Sequence, residues 1–134
     1  MIRYADKKDI EILKCYDKHI SESELKNSIK IKRVLMIFEN NIFIGWLRYN
    51  LFWDNTPFMN MLYILEDYRN KGYRQQLMNY WEEEMLKMNY KRVLTSTLSN
   101  EGAQFFYRKN GYIDCGSLLL PKETLEIIFM KNLL

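Results

Sequence analysis

Cysteine and histidine are scarce here: the 134-residue chain has two cysteines and one histidine. Cys15 and Cys115 lie far apart and form no C-x-x-C pair, which argues against a disulfide framework. The expectation is a reducing compartment, with both thiols acting as small core residues. With His19 as the sole imidazole, no zinc constellation is available, and no metal is expected. A G-x-x-x-x-G-K-[ST] nucleotide loop is absent, and no G-x-S-x-G elbow supports a serine hydrolase. No apolar run approaches the ~20 residues of a membrane span. The first residues lack a signal-peptide pattern, so a cytoplasmic protein without membrane contact is expected. No linker, repeat or low-complexity tract interrupts the chain, which predicts a single domain over residues 1–134.

What is present is a core. Hydrophobic residues make up 48% of the chain and aromatic residues 15%, values of a folded globule. The net charge of +3 is mild; it suits an anionic ligand without implying nucleic acid.

Residues Met1 to Tyr4 suit a short strand. Asp6 and Asp9 open a helical pattern carrying Ile10, Leu13 and Tyr16. Ser21-x-x-Glu24 reads as a capping box for a second helix with Leu25 and Ile29 inside. Val34–Phe38 and Ile42–Asn50 read as strands around a hairpin at Glu39-Asn40-Asn41, the second running on towards Trp53. Asp54-Asn55-Thr56-Pro57 marks a turn, and Phe58–Leu65 the next strand. A helix follows to Met88, with Leu77, Met78, Trp81, Met85 and Met88 as its apolar stripe and Glu82, Glu83 and Glu84 mostly solvated. Val93–Leu98 is a strand of buried type. Ser99 or Asn100 is placed to cap the next helix, and Gly111 to end it. Strands from Tyr112 to about Leu119 and from Leu125 to Met130 close the chain. This order predicts one mixed α/β or α+β domain built on a single sheet.

The stretch Tyr68-Arg69-Asn70-Lys71-Gly72-Tyr73-Arg74 joins a strand to a helix. Such a turn presents backbone N–H groups and a positive dipole end, a ready site for an anion such as a pyrophosphate. Gly72 allows φ > 0 and close backbone approach. Arg69, Lys71 and Arg74 add cations. The plain alternative is a solvated basic turn.

Arg69-x-x-Gly72-x-Arg74 resembles the acyl-CoA pyrophosphate loop of the GNAT N-acetyltransferase superfamily, Gln/Arg-x-x-Gly-x-Gly/Ala. A second stretch, from Asn100 through Ala103, Phe106, Tyr107, Lys109 and Gly111 to Tyr112, is similar to that family's Asn-x-x-Ala-x-x-Phe-Tyr-x-Lys-x-Gly-Phe segment. The two occur in the family's order, and the elements elsewhere are compatible, so the resemblance covers nearly the whole chain. Arg74 departs from the pattern, standing where Gly or Ala is usual.

The resemblance implies a mostly antiparallel sheet with a splayed parallel pair, here Phe58–Leu65 and Val93–Leu98. It implies acetyl-CoA as acyl donor and direct transfer of the acetyl group to an amine, on a small molecule or a protein. By register it assigns the backbone N–H of Leu62 to the acetyl carbonyl and that of Ile64 to the pantetheine arm. Asn70, Lys71, Gly72, Tyr73 and Arg74, with Arg69, hold the pyrophosphate. Asn100 hydrogen-bonds the cofactor, and Tyr107 protonates the departing thiolate. Tyr107 and Asn100 also have plain readings, as core ring and helix cap.

The family's general base is missing, because Phe58 stands where some members carry Glu. Asp54, Glu66 and Asp67 are the nearest carboxylates in sequence. That gap and Arg74 support an alternative, a GNAT-like domain that binds acyl-CoA or a partner without turnover. The stretch Trp46–Trp53 could stack nucleic-acid bases, but core and acceptor-pocket wall, with Arg48 in the lining, is the preferred reading. No nucleic-acid partner is expected. The oligomeric state is open, a homodimer included.

Overall fold

A computed structural model describes residues 1–134. Seven strands and four α-helices follow in the expected order: β1 (Ile2–Tyr4), α1 (Ile10–Tyr16), α2 (Glu22–Lys30), β2 (Val34–Glu39), β3 (Ile42–Phe52), β4 (Thr56–Ile64), α3 (Tyr73–Lys87), β5 (Arg92–Leu98), α4 (Ala103–Lys109), β6 (Ile113–Leu118) and β7 (Glu126–Asn132). Short 3-10 turns at Lys7–Asp9 and Glu66–Tyr68 precede α1 and the basic loop. The strands form one mixed sheet in the order β1-β2-β3-β4-β5-β7-β6. The chain divides into two compact units, Met1–Asn50 with Met61–Trp81, and Leu51–Asn60 with Glu82–Leu134.

In the first unit β1, β2 and β3 are antiparallel neighbours. Their turn is set by Asn40 and Asn41, both left-handed at φ 51° and 63°, as a two-residue hairpin requires. Strand alternation then sorts the side chains. Val34 faces Arg48 and Met36 faces Trp46, on the side where Leu13, Leu25 and Ile29 complete a buried cluster. Leu35 pairs with Leu47 on the opposite side, the side of Tyr49, whose ring lies 5.8 Å from that of Trp81 on α3. Each such fully buried large side chain contributes about 1.5–3 kcal/mol.

The helix caps differ in part from expectation. Ser21 accepts the Glu24 N–H at 3.2 Å, which is half of a capping box. The complete box belongs to Asp6 and Asp9 on the first 3-10 turn. Neither Ser99 nor Asn100 caps α4: Gly102 holds the cap position without a side-chain bond. Gln104 instead donates to Ser99 O at 2.9 Å and Glu101 O at 2.8 Å, pinning that turn. Gly111 does end α4, at φ +89°.

In the second unit β7 pairs antiparallel with both β5 and β6. β4 and β5 are parallel, with Phe58 opposite Leu94 and Met59 opposite Thr95. The Thr95 hydroxyl donates to Met59 O at 2.9 Å and fastens that junction. Tyr107, Tyr112 and Phe129 pack ring against ring.

Three side-chain expectations are corrected. Cys15 and Cys115 are exposed. Cys115 sits on β6, whose six residues are all exposed, because the strand lies at the sheet edge. Glu82 is not on a solvated face: it accepts Tyr112 Oη and Lys131 Nζ, each at 2.8 Å. Arg48 belongs to the core, 8% exposed and bonded to Asp17; of the aromatic residues of its stretch, Trp46 and Tyr49 are core, and only Phe52 and Trp53, at the tip, are exposed.

Candidate active site

β4 runs out of the sheet into the Glu66–Tyr68 turn, then the loop, then α3. Its N–H directions follow from pairing. Leu65 N–H donates to Ile44 O of β3 at 2.8 Å. Alternation points the N–H groups of Leu62 and Ile64 away from β3. Both lie beyond Met59, the last residue of β4 in the register with β5. Ile64 is buried at 4%, and Leu62 is half-buried.

β3 approaches this strand closely. A Cβ on Gly45 would fall 2.5 Å from Tyr63 O and 2.6 Å from Ile64 Cδ1. Glycine there lets the two backbones meet, and it holds the strand that carries Leu62 and Ile64.

The loop itself is shaped by two left-handed residues, Asn70 at φ 62° and Gly72 at φ 86°. A Cβ on Gly72 would meet nothing within 4 Å, so its position opens onto free space. Gln76 N–H is bonded to Gly72 O at 3.0 Å, closing the first turn of α3. The N–H groups before it, from Tyr73 on, have no acceptor within the helix and carry the positive dipole end. This cradle fits an anionic phosphate chemically.

The loop side chains divide. Arg69 folds back onto β4: its Nε donates to Ile64 O at 2.8 Å and its guanidinium lies 5.0 Å from the Tyr63 ring centre. It braces the strand end. Lys71 is exposed, with Nζ 5.8 Å from the Tyr68 ring centre. Arg74 is half-buried. Tyr73 hydrogen-bonds the Glu39 carboxylate, which pushes the phenol's pKa above its usual value. Glu39 ends β2, so this bond ties the loop to the sheet. No sequence signal marked it.

The carboxylates nearest in sequence, Asp54, Glu66 and Asp67, are all exposed. In the second unit Asn100 is exposed in the turn before α4. Tyr107 is 7% exposed, its ring 5.7 Å from Phe129, 5.5 Å from Tyr112 and 5.6 Å from Phe106.

Sequence reasoning also missed a buried group in the first unit. Asp17, just past α1, accepts Arg48 Nε at 2.6 Å, Trp46 Nε1 at 3.0 Å and the His19 N–H at 3.2 Å. Burial pushes its pKa up, but the pairing with Arg48 outweighs this and holds it below the usual carboxylate value. Asp17 sits 31 residues from Arg48, and no short motif encodes such a pair. His19 itself is exposed and lies in the bend past α1, not in a helix. No cluster of three His, Cys, Asp or Glu side chains suited to a metal ion is formed.

The fold recurs in solved structures. A GNAT-family acetyltransferase from Bacillus cereus ATCC 10987 is 26% identical, with a TM-score of 0.79 over 98% of this chain and 96% of that one. Ard1 from Thermoplasma volcanium is 14% identical, with a TM-score of 0.85 over 100% and 97%. The PaiA N-acetyltransferase from Thermoplasma acidophilum, solved in complex with coenzyme A, is 19% identical, with a TM-score of 0.80 over 98% of each chain. No curated protein sequence matches. The model of the acetyltransferase (GNAT) family matches residues 6–112, which include β4, the loop and α4. This chain belongs to the GNAT acetyltransferase family, enzymes that use acetyl-CoA to N-acetylate an amine.

Proposed function

We propose that residues 1–134 act as one acetyltransferase domain in which the Arg69–Arg74 loop holds the donor's pyrophosphate. The observation that carries this is the turn at Gly72, left-handed and open, leading directly into the first turn of α3. The family match crosses both compact units, which supports one functional domain. The coenzyme A in the Thermoplasma acidophilum structure supports the same ligand chemistry here.

Acetyl-CoA supplies an activated thioester carbonyl. Ile64 N–H holds a pantetheine amide. Leu62 N–H donates to the acetyl oxygen, where negative charge develops as the amine nitrogen bonds to the carbonyl carbon. The carbon–sulfur bond breaks, and Tyr107 gives its phenolic proton to the departing sulfur. Solvent returns a proton to Tyr107 and takes the one released by the amine. Asn100 hydrogen-bonds the donor. The acceptor is an amine of a small molecule or a protein. No buried carboxylate is assigned as base, so the amine enters deprotonated or loses its proton to water.

Two measurements test this. Acetyl-CoA at a hundredfold excess over Kd should raise the native state's stability by roughly 2.7 kcal/mol, read as a higher Tm. Tyr107→Phe keeps the ring packing and removes one hydroxyl. Thiol release with an accepted amine should fall by roughly 10²–10⁴-fold, while acetyl-CoA Kd changes little. No Tm shift at millimolar acetyl-CoA removes the loop assignment. An unchanged kcat under chemistry-limited conditions removes Tyr107 as the acid.

A further inference from the structure

Beside α2, in the first unit, lies a cleft of about 830 Å³. That volume falls within the range of small-molecule sites, roughly 300–1,000 Å³. The acetyl-transfer reading does not use it. Its floor is apolar: Ala5 and Ile29 are buried, at 5% and 6%, and Ile10 is half-buried. Its rim is cationic. Lys26 and Lys30 flank Ile29 on one face of α2, and Lys32 follows the helix end. Lys7 adds a fourth ammonium.

Asp6 is the single carboxylate in the lining, and it is already engaged. It accepts the Lys8 N–H at 3.0 Å and lies 3.8 Å from Lys8 Nζ. Lys26 pairs with Glu22 at 2.9 Å, a carboxylate it shares with Lys14. Lys7, Lys30 and Lys32 make no ion pair.

The end of α2 adds a second observation. Lys32 N–H bonds Ile29 O at 3.1 Å, and Arg33 N–H bonds Ser28 O at 2.9 Å. These two bonds make a Schellman motif, whose left-handed residue is usually glycine. Here that residue is Lys32, at φ 59°. The chain accepts backbone strain at a position where glycine would relieve it, and the residue placed there puts an unpaired ammonium on the rim.

We propose that this cleft binds a small amphiphilic carboxylate. Its apolar body lies on Ala5, Ile10 and Ile29, and its carboxylate is held among Lys26, Lys30 and Lys32. An amine would meet like charge here. A nucleotide would set polar surface on an apolar floor. A neutral hydrocarbon would leave the Lys30 and Lys32 ammonium groups without a counter-charge.

The test titrates octanoate into the full chain by calorimetry, with octanol and acetate in parallel. Octanoate should saturate at one per chain, and octanol and acetate should each bind at least roughly tenfold more weakly. Lys30→Glu should weaken octanoate roughly tenfold, and Lys32→Gly severalfold. Lys32→Gly should also raise Tm by roughly 3–6 °C, because it relieves the left-handed strain. A binding loss in a more stable protein cannot come from unfolding. Octanoate that does not saturate, or that binds both variants as well as the parent, overturns the proposal. Octanol binding as tightly as octanoate overturns it too, since the lysines would then play no part.

Discussion

At φ +86°, Gly72 occupies backbone space that a β-branched residue resists, yet a Cβ there would touch no neighbour. The constraint is conformational and not one of crowding. Gly72→Val should therefore cost about 1–2 kcal/mol of stability, the scale of a left-handed non-glycine residue. The loss of acetyl-CoA affinity should be larger, more than roughly tenfold, because the loop must both change shape and hold a side chain against the phosphates. Urea midpoints and acetyl-CoA Kd values for the two proteins separate the effects. A folded variant with unchanged Kd would take the loop out of phosphate binding. Gly72 was legible in the sequence because a strand, a basic turn and a helix meet there. Arg69 was legible as a loop residue only. That its guanidinium turns back onto Ile64 O and Tyr63 depends on where β4 ends, which spacing does not give.

Among the elements, α1 is fastened to β3 by a buried charge pair. Side-chain exposure is 0% for Asp17 and 9% for Arg48. Asp17→Ala leaves the Arg48 guanidinium buried without its partner, so the expected cost is about 3–5 kcal/mol. Replacing both, as Asp17→Leu with Arg48→Met, should recover only part of that loss: apolar side chains of similar volume fill the site, but the buried Trp46 Nε1–H then lacks its acceptor. Urea unfolding of the three proteins reads this directly. A single variant that loses less than about 1 kcal/mol would show the pair to be dispensable. The elements themselves were legible. Asparagine pairs, capping residues and apolar periods each act over a few residues, so the order of strands and helices follows from them. The link between Asp17 and Arg48 was not legible, since it needs the return of β3 past the end of α1. The exposure of Cys115 was hidden for a related reason. A strand pattern says which residues alternate, but not that the strand lies at a sheet edge.

For the molecule as a whole, pairing of its charges sets how stability depends on pH. Arg3 donates two hydrogen bonds to Asp9, and these hold the Asp9 carboxyl below its usual range. Asp17 is held low against the opposing effect of its burial, as described above. Glu22, bridged by Lys14 and Lys26, is lowered to about 2. A carboxylate whose folded pKa is depressed contributes stability above its unfolded pKa of ~4, and that stability is lost as pH falls through the folded value. The acid flank should thus begin below about pH 4 and steepen towards pH 2. At the other end, burial, with the Glu82 carboxylate beside it, pushes the Tyr112 phenol far above its usual value. For a raised pKa the sign reverses. Unfolded Tyr112 releases its proton near pH ~10 while the folded group keeps it, so stability declines above that pH. Urea midpoints from pH 2 to pH 11 should show a plateau between about pH 5 and pH 9, with a loss on each side. Tyr112→Phe should remove part of the alkaline loss and leave the acid flank unchanged. It also leaves Glu82 without the phenol's hydrogen bond, so its plateau should lie about 1–3 kcal/mol lower. An alkaline flank of the same slope in both proteins would exclude Tyr112 as its source.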